Sequence, residues 1–228
     1  KIQHILVQDL KFFVDKELYN LKNPKILNMV DHPFKSTCES TFNYKHFLDN
    51  KYIEKVYCEN WNDELHSKVN ITPIGIESRM CNTENNDELK LIDFSKNQKS
   101  IKDKPLKILS NAHLNTHLSP SSGSYDQRTE MYNELKHNSL VDFWNDKVDR
   151  TETWKQHDNY SFELCPEGNG LDTHRFYEAL CLNTIPIVKK NSLEPLYSKF
   201  PCVIVENWNE ITEKNCKKWK DYRKWVLR

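Results

Sequence analysis

Residues 162–180 read FELCPEGNGLDTHRFYEAL, and their types and spacing suit the binding of an anion. The chain has four glycines, and two of them, Gly168 and Gly170, fall here, with Asp172, Thr173, His174, Arg175 and Glu178 close behind. An apolar run precedes the glycines and helical spacing follows them, which predicts a strand, a bare-backbone turn and the start of a helix. Glycines at such a turn let a ligand approach the main chain. The helix N-terminus adds unpaired N–H groups and the positive end of a dipole. Asp172 or Thr173 is the expected N-cap. Arg175 then lies in the first turn, where its fork of donors can grip a phosphate. Glu178, three residues on, shares nearly the same face and can accept hydrogen bonds from a ribose diol. The ligand implied is a nucleotide. The plainer alternative is a capped helix with a surface Arg175–Glu178 ion pair, which leaves the concentration of glycines unexplained. No GK[ST] follows the turn and no GxGxxG lies in it, so ATP hydrolysis and dinucleotide redox chemistry lose support.

A second polar segment, SNAHLNTHLSPSSGS (110–124), carries Asn111, His113, Thr116, His117 and Ser122 as hydrogen-bond donors, and Arg128 follows with a positive charge. His113 and His117 have metal-ligand spacing only if helical. The Ser, Pro and Asn content predicts a loop, and no metal site is expected. The basic tail KNCKKWKDYRKWVLR (214–228) places Trp219, Tyr222 and Trp225 at three-residue intervals, the pattern of a helix packing one face onto the body.

The elements that must hold these residues alternate. Strands are expected over 2–8, 24–30, 53–58, 69–76, 105–111, 139–144, 160–165, 185–190 and 202–207. Helices are expected over 10–21, 36–50, 87–95, 124–138, 173–183, 192–199 and 209–228. This predicts an α/β fold of two doubly wound, Rossmann-like parallel-sheet domains facing across a cleft. The polar, lysine-rich stretch 82–104 divides them, giving an N-terminal domain over 1–100 and a C-terminal domain over 101–228.

Bulk composition narrows the classes further. Apolar residues make up 37%, charged residues 29% and aromatics 11%, with zero formal net charge. Neutral balance argues against a general nucleic-acid binder, and no run of about 18 apolar residues suggests a membrane span. The seven cysteines form no CxxC pair and read as free thiols in a reducing compartment.

The run FELCPEGNGLDTHRFYEALCLNTIPIV resembles the signature of exostosin-like glycosyltransferases. That signature is a hydrophobic strand, a Pro-Glu-Gly or Pro-x-Gly turn, an Arg opening a helix, then EAL, a small-residue turn and IPIV. The similarity covers about residues 155–212, with a weaker likeness over 105–135, where Arg128-x-x-x-Tyr132 follows a strand and polar loop. It implies a GT-B fold and transfer with inversion from a nucleoside-diphosphate sugar, without a bound metal or other cofactor. It also implies a glycan or glycoprotein acceptor. Glu167, Gly168, Asn169, Gly170, Asp172, Thr173, His174, Arg175, Glu178, Asn111, His113 and Arg128 would line the donor site, with Arg175 neutralising the departing diphosphate. Inverting transfer needs a general base near the acceptor hydroxyl. Asp31 or His32, after the second strand, would serve, with Asp9 the competitor. Relatives of this kind are similar to proteins of large DNA viruses, which implies the cytoplasm of an infected host cell; a luminal site would require an upstream targeting segment. The chain departs from the pattern in two ways. Asn183 stands where the family often has Gly, and the N-terminal domain is minimal or truncated. Fucosyltransferases of the same general fold use a related Thr-Glu-Lys motif where this chain has Thr173, His174 and Arg175, so uridine- and guanosine-linked donors both stay open.

Overall fold

The computed structural model describes residues 2–6, 21–23, 25–30, 44–62, 64–76, 87–112, 114, 124–144, 146, 148–168 and 170–222. Asp9, the expected helix 10–21 except its last residue Leu21, Asp31, His32, His113, Thr116, His117, Ser122 and Asn169 lie outside the described residues. The first sheet holds β1 (Ile2–Leu6), β2 (Lys25–Val30), β3 (Ile53–Cys58) and β4 (Val69–Ile71), with helix α1 (Tyr44–Leu48) before β3. Its strands are parallel and in sequence order, β1-β2-β3-β4. Helix α2 (Asp87–Lys96) leads to the second unit. There β5 (Ile108–Ser110), α3 (Ser124–Leu135), β6 (Val141–Phe143), α4 (Arg150–Gln156), β7 (Phe162–Leu164), α5 (His174–Cys181) and β8 (Ile185–Lys189) follow in turn. Helix α6 (Glu194–Tyr197), β9 (Val203–Val205) and α7 (Glu213–Lys220) complete it.

The second sheet is also parallel, in the order β6-β5-β7-β8-β9. Parallel strands covered on both faces read as continuous apolar runs, and β7 and β8 show this: Phe162 to Leu164 and Ile185 to Val188 are all buried. Pro186 sits inside β8, where its missing N–H would ordinarily break a ladder. It is tolerated because the pairing of β8 with β9 begins only at Ile187↔Val203.

One buried cluster joins the two sheets. Leu27, Phe47, Val56 and Trp61 pack in it with Phe176, Tyr177, Val188 and Tyr197. A second cluster, including Ile108, Met131, Phe162, Ile187, Val205 and Trp208, covers the other face of the second sheet. Among the described residues Cys58, Cys165, Cys181, Cys202 and Cys216 are free thiols. Among the described residues no helix is long and apolar enough to cross a membrane.

Candidate functional site

The order β6-β5-β7-β8-β9 reverses direction between β5 and β7. After β5 the chain turns to one side, and from β7 on it builds to the other. The carboxyl ends of strands flanking such a switch point open a crevice that binds ligands in this class of sheet. The segments leaving those two ends are Asn111 after β5 and Cys165 to Gly168 after β7. These are the segments that the sequence singles out.

Two guanidinium groups converge there. Arg128, on α3 and only 6% exposed, donates from Nε to the Glu167 carbonyl at 2.9 Å. Its Nη2 would lie 3.2 Å from a Cβ at Gly168. Arg175, in the first turn of α5, donates from Nε to Asn111 Oδ1 across the switch point. Burial brings the Arg128 pKa down to about 10, and the like charge of Arg175 pushes the same way. Gln127 Oε1 accepts the Glu167 N–H at 2.9 Å, and Asn191 donates to Glu167 Oε1 at 3.2 Å, so the loop is tied on both sides. Thr173 occupies the N-cap of α5 but makes no side-chain capping hydrogen bond.

The middle of the motif has a different occupation. Asp172 is 3% exposed and joins the two units. Its Oδ2 accepts from Ile74 N–H at 3.1 Å and Tyr177 O–H at 2.6 Å, its Oδ1 accepts from Thr173 N–H at 3.0 Å and Tyr197 O–H at 3.4 Å. Burial raises its pKa, against the lowering pull of these donors, Tyr177 foremost. The Asp172 N–H in turn donates to Asn60 Oδ1 at 2.7 Å. A Cβ on Gly170 would stand 2.6 Å from that same Oδ1. The close approach that requires a glycine at 170 is therefore made by Asn60, a residue of the first unit held at φ 53°. His174 adds a third tie, with Nδ1 2.8 Å from the Gly75 carbonyl.

Glu178 is also engaged within the protein. Its Oε1 accepts from Arg150 Nε at 3.0 Å and from Arg150 Nη2, and its Oε2 accepts from Trp154 Nε1 at 2.8 Å. The Arg150 guanidinium lies 5.0 Å from the centroid of the Trp154 ring, a cation–π arrangement. Both partners stand on α4, which the sequence reading missed. The signal was present: Asp149 with Glu152 three residues on spells an N-terminal capping pattern, and Asp149 Oδ1 does accept the Thr151 N–H at 2.8 Å.

A further ionisable group lies under Arg175. Glu163, on β7, is 1% exposed; among the described residues neither carboxyl oxygen makes a well-formed hydrogen bond, and the Asn111 side chain is the donor whose influence is felt there. Oε1 is 3.7 Å from Arg175 Nε and Oε2 is 3.6 Å from His157 Nε2. Burial drives the Glu163 pKa well above the usual carboxylate range, opposed first by Arg175. Burial, with Lys104 nearby, lowers that of His157 to about 3. Among the described residues no group of three or more His, Cys, Asp or Glu side chains could hold a metal ion.

Of the residues expected to form the site, the structure brings Asn111, Arg128, Glu167, Gly168 and Arg175 together at the switch point. It directs Gly170, Asp172 and His174 toward the first unit and Glu178 toward α4. No protein-family model and no curated protein matches this sequence. The glycosyltransferase resemblance thus stands on the quoted residues alone.

Proposed function

We propose that the chain is a glycosyltransferase that moves a sugar from a nucleoside-diphosphate donor, of UDP or GDP type, to a hydroxyl of a glycan or glycoprotein. The observation that carries this reading is the meeting of Arg128 and Arg175 at the loop that leaves the switch point. Two like charges held together suit an anion, and Arg175 stands in the first turn of α5, the end of a helix where negative charge is favoured. A diphosphate leaving group gathers negative charge as the glycosidic bond breaks. Preset cations stabilise that charge more than they stabilise the bound donor, which lowers the barrier. Arg175, 18% exposed in its side chain, is the group we place on the diphosphate, with Arg128 behind it. Asp31 or His32 remains the proposed base for the acceptor hydroxyl, in a GT-B arrangement with inversion and no metal.

The experiment is a thermal-shift screen against UDP, GDP, CMP and their sugars, since a ligand that binds only the folded state raises Tm by mass action. UDP or GDP should stabilise the wild type and not Arg175→Ala, with both proteins equally folded without ligand. Equal shifts in both would remove Arg175 from the site.

The engagement of Asp172 and Glu178 inside the protein favours a second reading, a non-catalytic nucleotide- or carbohydrate-binding module. It would show the same ligand shifts but no transfer from any donor sugar.

A further inference from the structure

Glu163 is a buried carboxyl with no assigned task, in direct line with the guanidinium that the donor reading depends on. The groups around it come from every element packed on that side. Arg175 and Glu178 face it from α5, His157 from the turn after α4, Lys104 from the segment before β5, and the Asn111 amide from the end of β5. Cys165 stands two residues on along its own chain, with a thiol that burial holds well above its ordinary pKa.

The hydrogen bonds behind His157 accommodate a proton arrangement that keeps Glu163 neutral. Lys104 Nζ donates to Thr184 Oγ1 at 3.1 Å, to Leu182 O at 2.6 Å and to Gln98 Oε1 at 3.2 Å. The single Thr184 hydroxyl hydrogen has carbonyls to go to, Leu182 O at 3.3 Å and Tyr160 O at 3.5 Å. With that hydrogen on a carbonyl, Thr184 Oγ1 accepts from His157 Nδ1, 3.0 Å away. A neutral imidazole protonated at Nδ1 presents a lone pair at Nε2, and Nε2 faces Glu163 Oε2. A proton on that oxygen points at an acceptor. An ionised Glu163 would instead face a lone pair at His157, with only the Asn111 amide and the Arg175 guanidinium to support it among the described residues, in a buried site where charge is strongly disfavoured.

We propose that Glu163 is a positioning carboxylic acid for Arg175: it keeps its proton toward His157 and so leaves the guanidinium charge available to an anion at the 166–168 loop. Loss of that proton to solvent converts Glu163 to a carboxylate 3.7 Å from Arg175 Nε. The internal ion pair then competes with the ligand. Binding an anion and ionising Glu163 oppose one another, so anion affinity falls as pH rises through the Glu163 pKa. This rests on the reading of the switch-point loop as a diphosphate site.

The test uses inorganic pyrophosphate, titrated calorimetrically into the wild type and Glu163→Gln across neutral and mildly alkaline pH. The charge change of pyrophosphate itself is common to both proteins and cancels in the ratio of their affinities. That ratio, wild type over variant, should fall toward about tenfold per pH unit once Glu163 ionises, the limit for one linked proton. Infrared spectra supply a ligand-independent readout: a protonated-carboxyl carbonyl band in the wild type at neutral pH, absent from Glu163→Gln. Should the glutamine variant fold poorly, Glu163→Leu makes the same comparison. Parallel affinity profiles, or no protonated-carboxyl band, overturn the proposal. Absence of pyrophosphate binding by either protein overturns the diphosphate site, and the gating with it, even where the infrared band is present.

Discussion

Gly170→Ala is the perturbation that separates a glycine kept for a ligand from one kept for a neighbour. The only left-handed glycine among the described residues is Gly75, so an alanine at 170 meets no backbone strain. What it meets is the Asn60 amide: 2.6 Å to Oδ1, 2.7 Å to Cγ and 2.9 Å to Nδ2. All three distances are below any real Cβ contact, so the amide must move. Moving it breaks the 2.7 Å hydrogen bond from the Asp172 N–H. A buried donor left unpaired costs about 1–3 kcal/mol. The reduced freedom of the unfolded chain returns about 0.4–1 kcal/mol. The expected net loss is about 1–2 kcal/mol, a drop of roughly 2–8 °C in Tm for a chain of this size. Asn60→Gly supplies the control, because it removes the obstructing amide and keeps the positive φ of residue 60 accessible. In that background the hydrogen bond is already gone, and Gly170→Ala should cost under about 0.5 kcal/mol. Urea unfolding of the four proteins of the cycle reads the coupling directly. An equal cost in both backgrounds, or no cost in the wild type, refutes the account of Gly170.

Gly168→Ala should behave differently: its Cβ would press Arg128 Nη2 at 3.2 Å and Thr173 Cγ2 at 3.4 Å, so stability falls by less than about 1 kcal/mol while nucleoside-diphosphate affinity drops severalfold, as seen by calorimetry. His157 titrates near 6.5 when unfolded and near 3 when folded; the unfolded state binds the extra proton between those values, so stability is full above the upper one and is lost as pH falls toward the lower. Urea unfolding across that window should show His157→Gln with a shallower acid slope, by up to about 1.4 kcal/mol per pH unit. Glu178→Gln should destabilise the fold by about 1–3 kcal/mol through Arg150 and Trp154 and shift Trp154 fluorescence, yet reduce nucleoside-diphosphate affinity far less than Arg175→Ala does. Equal losses of affinity in those two variants would return Glu178 to the ligand.

The parallel strands were legible because burial on both faces leaves little room for polar residues: IPIV at 185–188 and the FEL of β7 read as strands whatever surrounds them. Helical spacing likewise placed α5 from Thr173 onward, although Thr173 makes no side-chain capping bond, and the φ of 50° at Asn183 turns the chain after the helix, since Asn tolerates the left-handed region better than most residues. Partnerships were not legible. Arg175 and Glu178 have the spacing of a surface ion pair, but Arg175 turns to Asn111, 64 residues away, and Glu178 to Arg150, 28 residues away. Asp172 reads as a cap and instead accepts the N–H of Ile74, 98 residues distant. No local rule decides among acceptors supplied by tertiary packing.

The consequence for the site lies in the bookkeeping of charge. Had Asp172 and Glu178 faced the switch-point crevice, their carboxylates would have repelled a diphosphate and offset Arg175. Asp172 is held by two tyrosines and two main-chain amides, and Glu178 by Arg150 and an indole N–H. Both negative charges are thereby matched to other partners, and Glu163, 3.7 Å from Arg175 Nε, lies in a setting that favours its neutral form. A neutral Glu163 leaves the positive charge of Arg175 uncancelled by its nearest described carboxyl, and Arg128 lies close enough for the two like charges to act on each other. Latching the two units together and keeping the loop cationic are the same arrangement of side chains. A substitution that frees Asp172 should therefore weaken anion binding as well as the joint between the units.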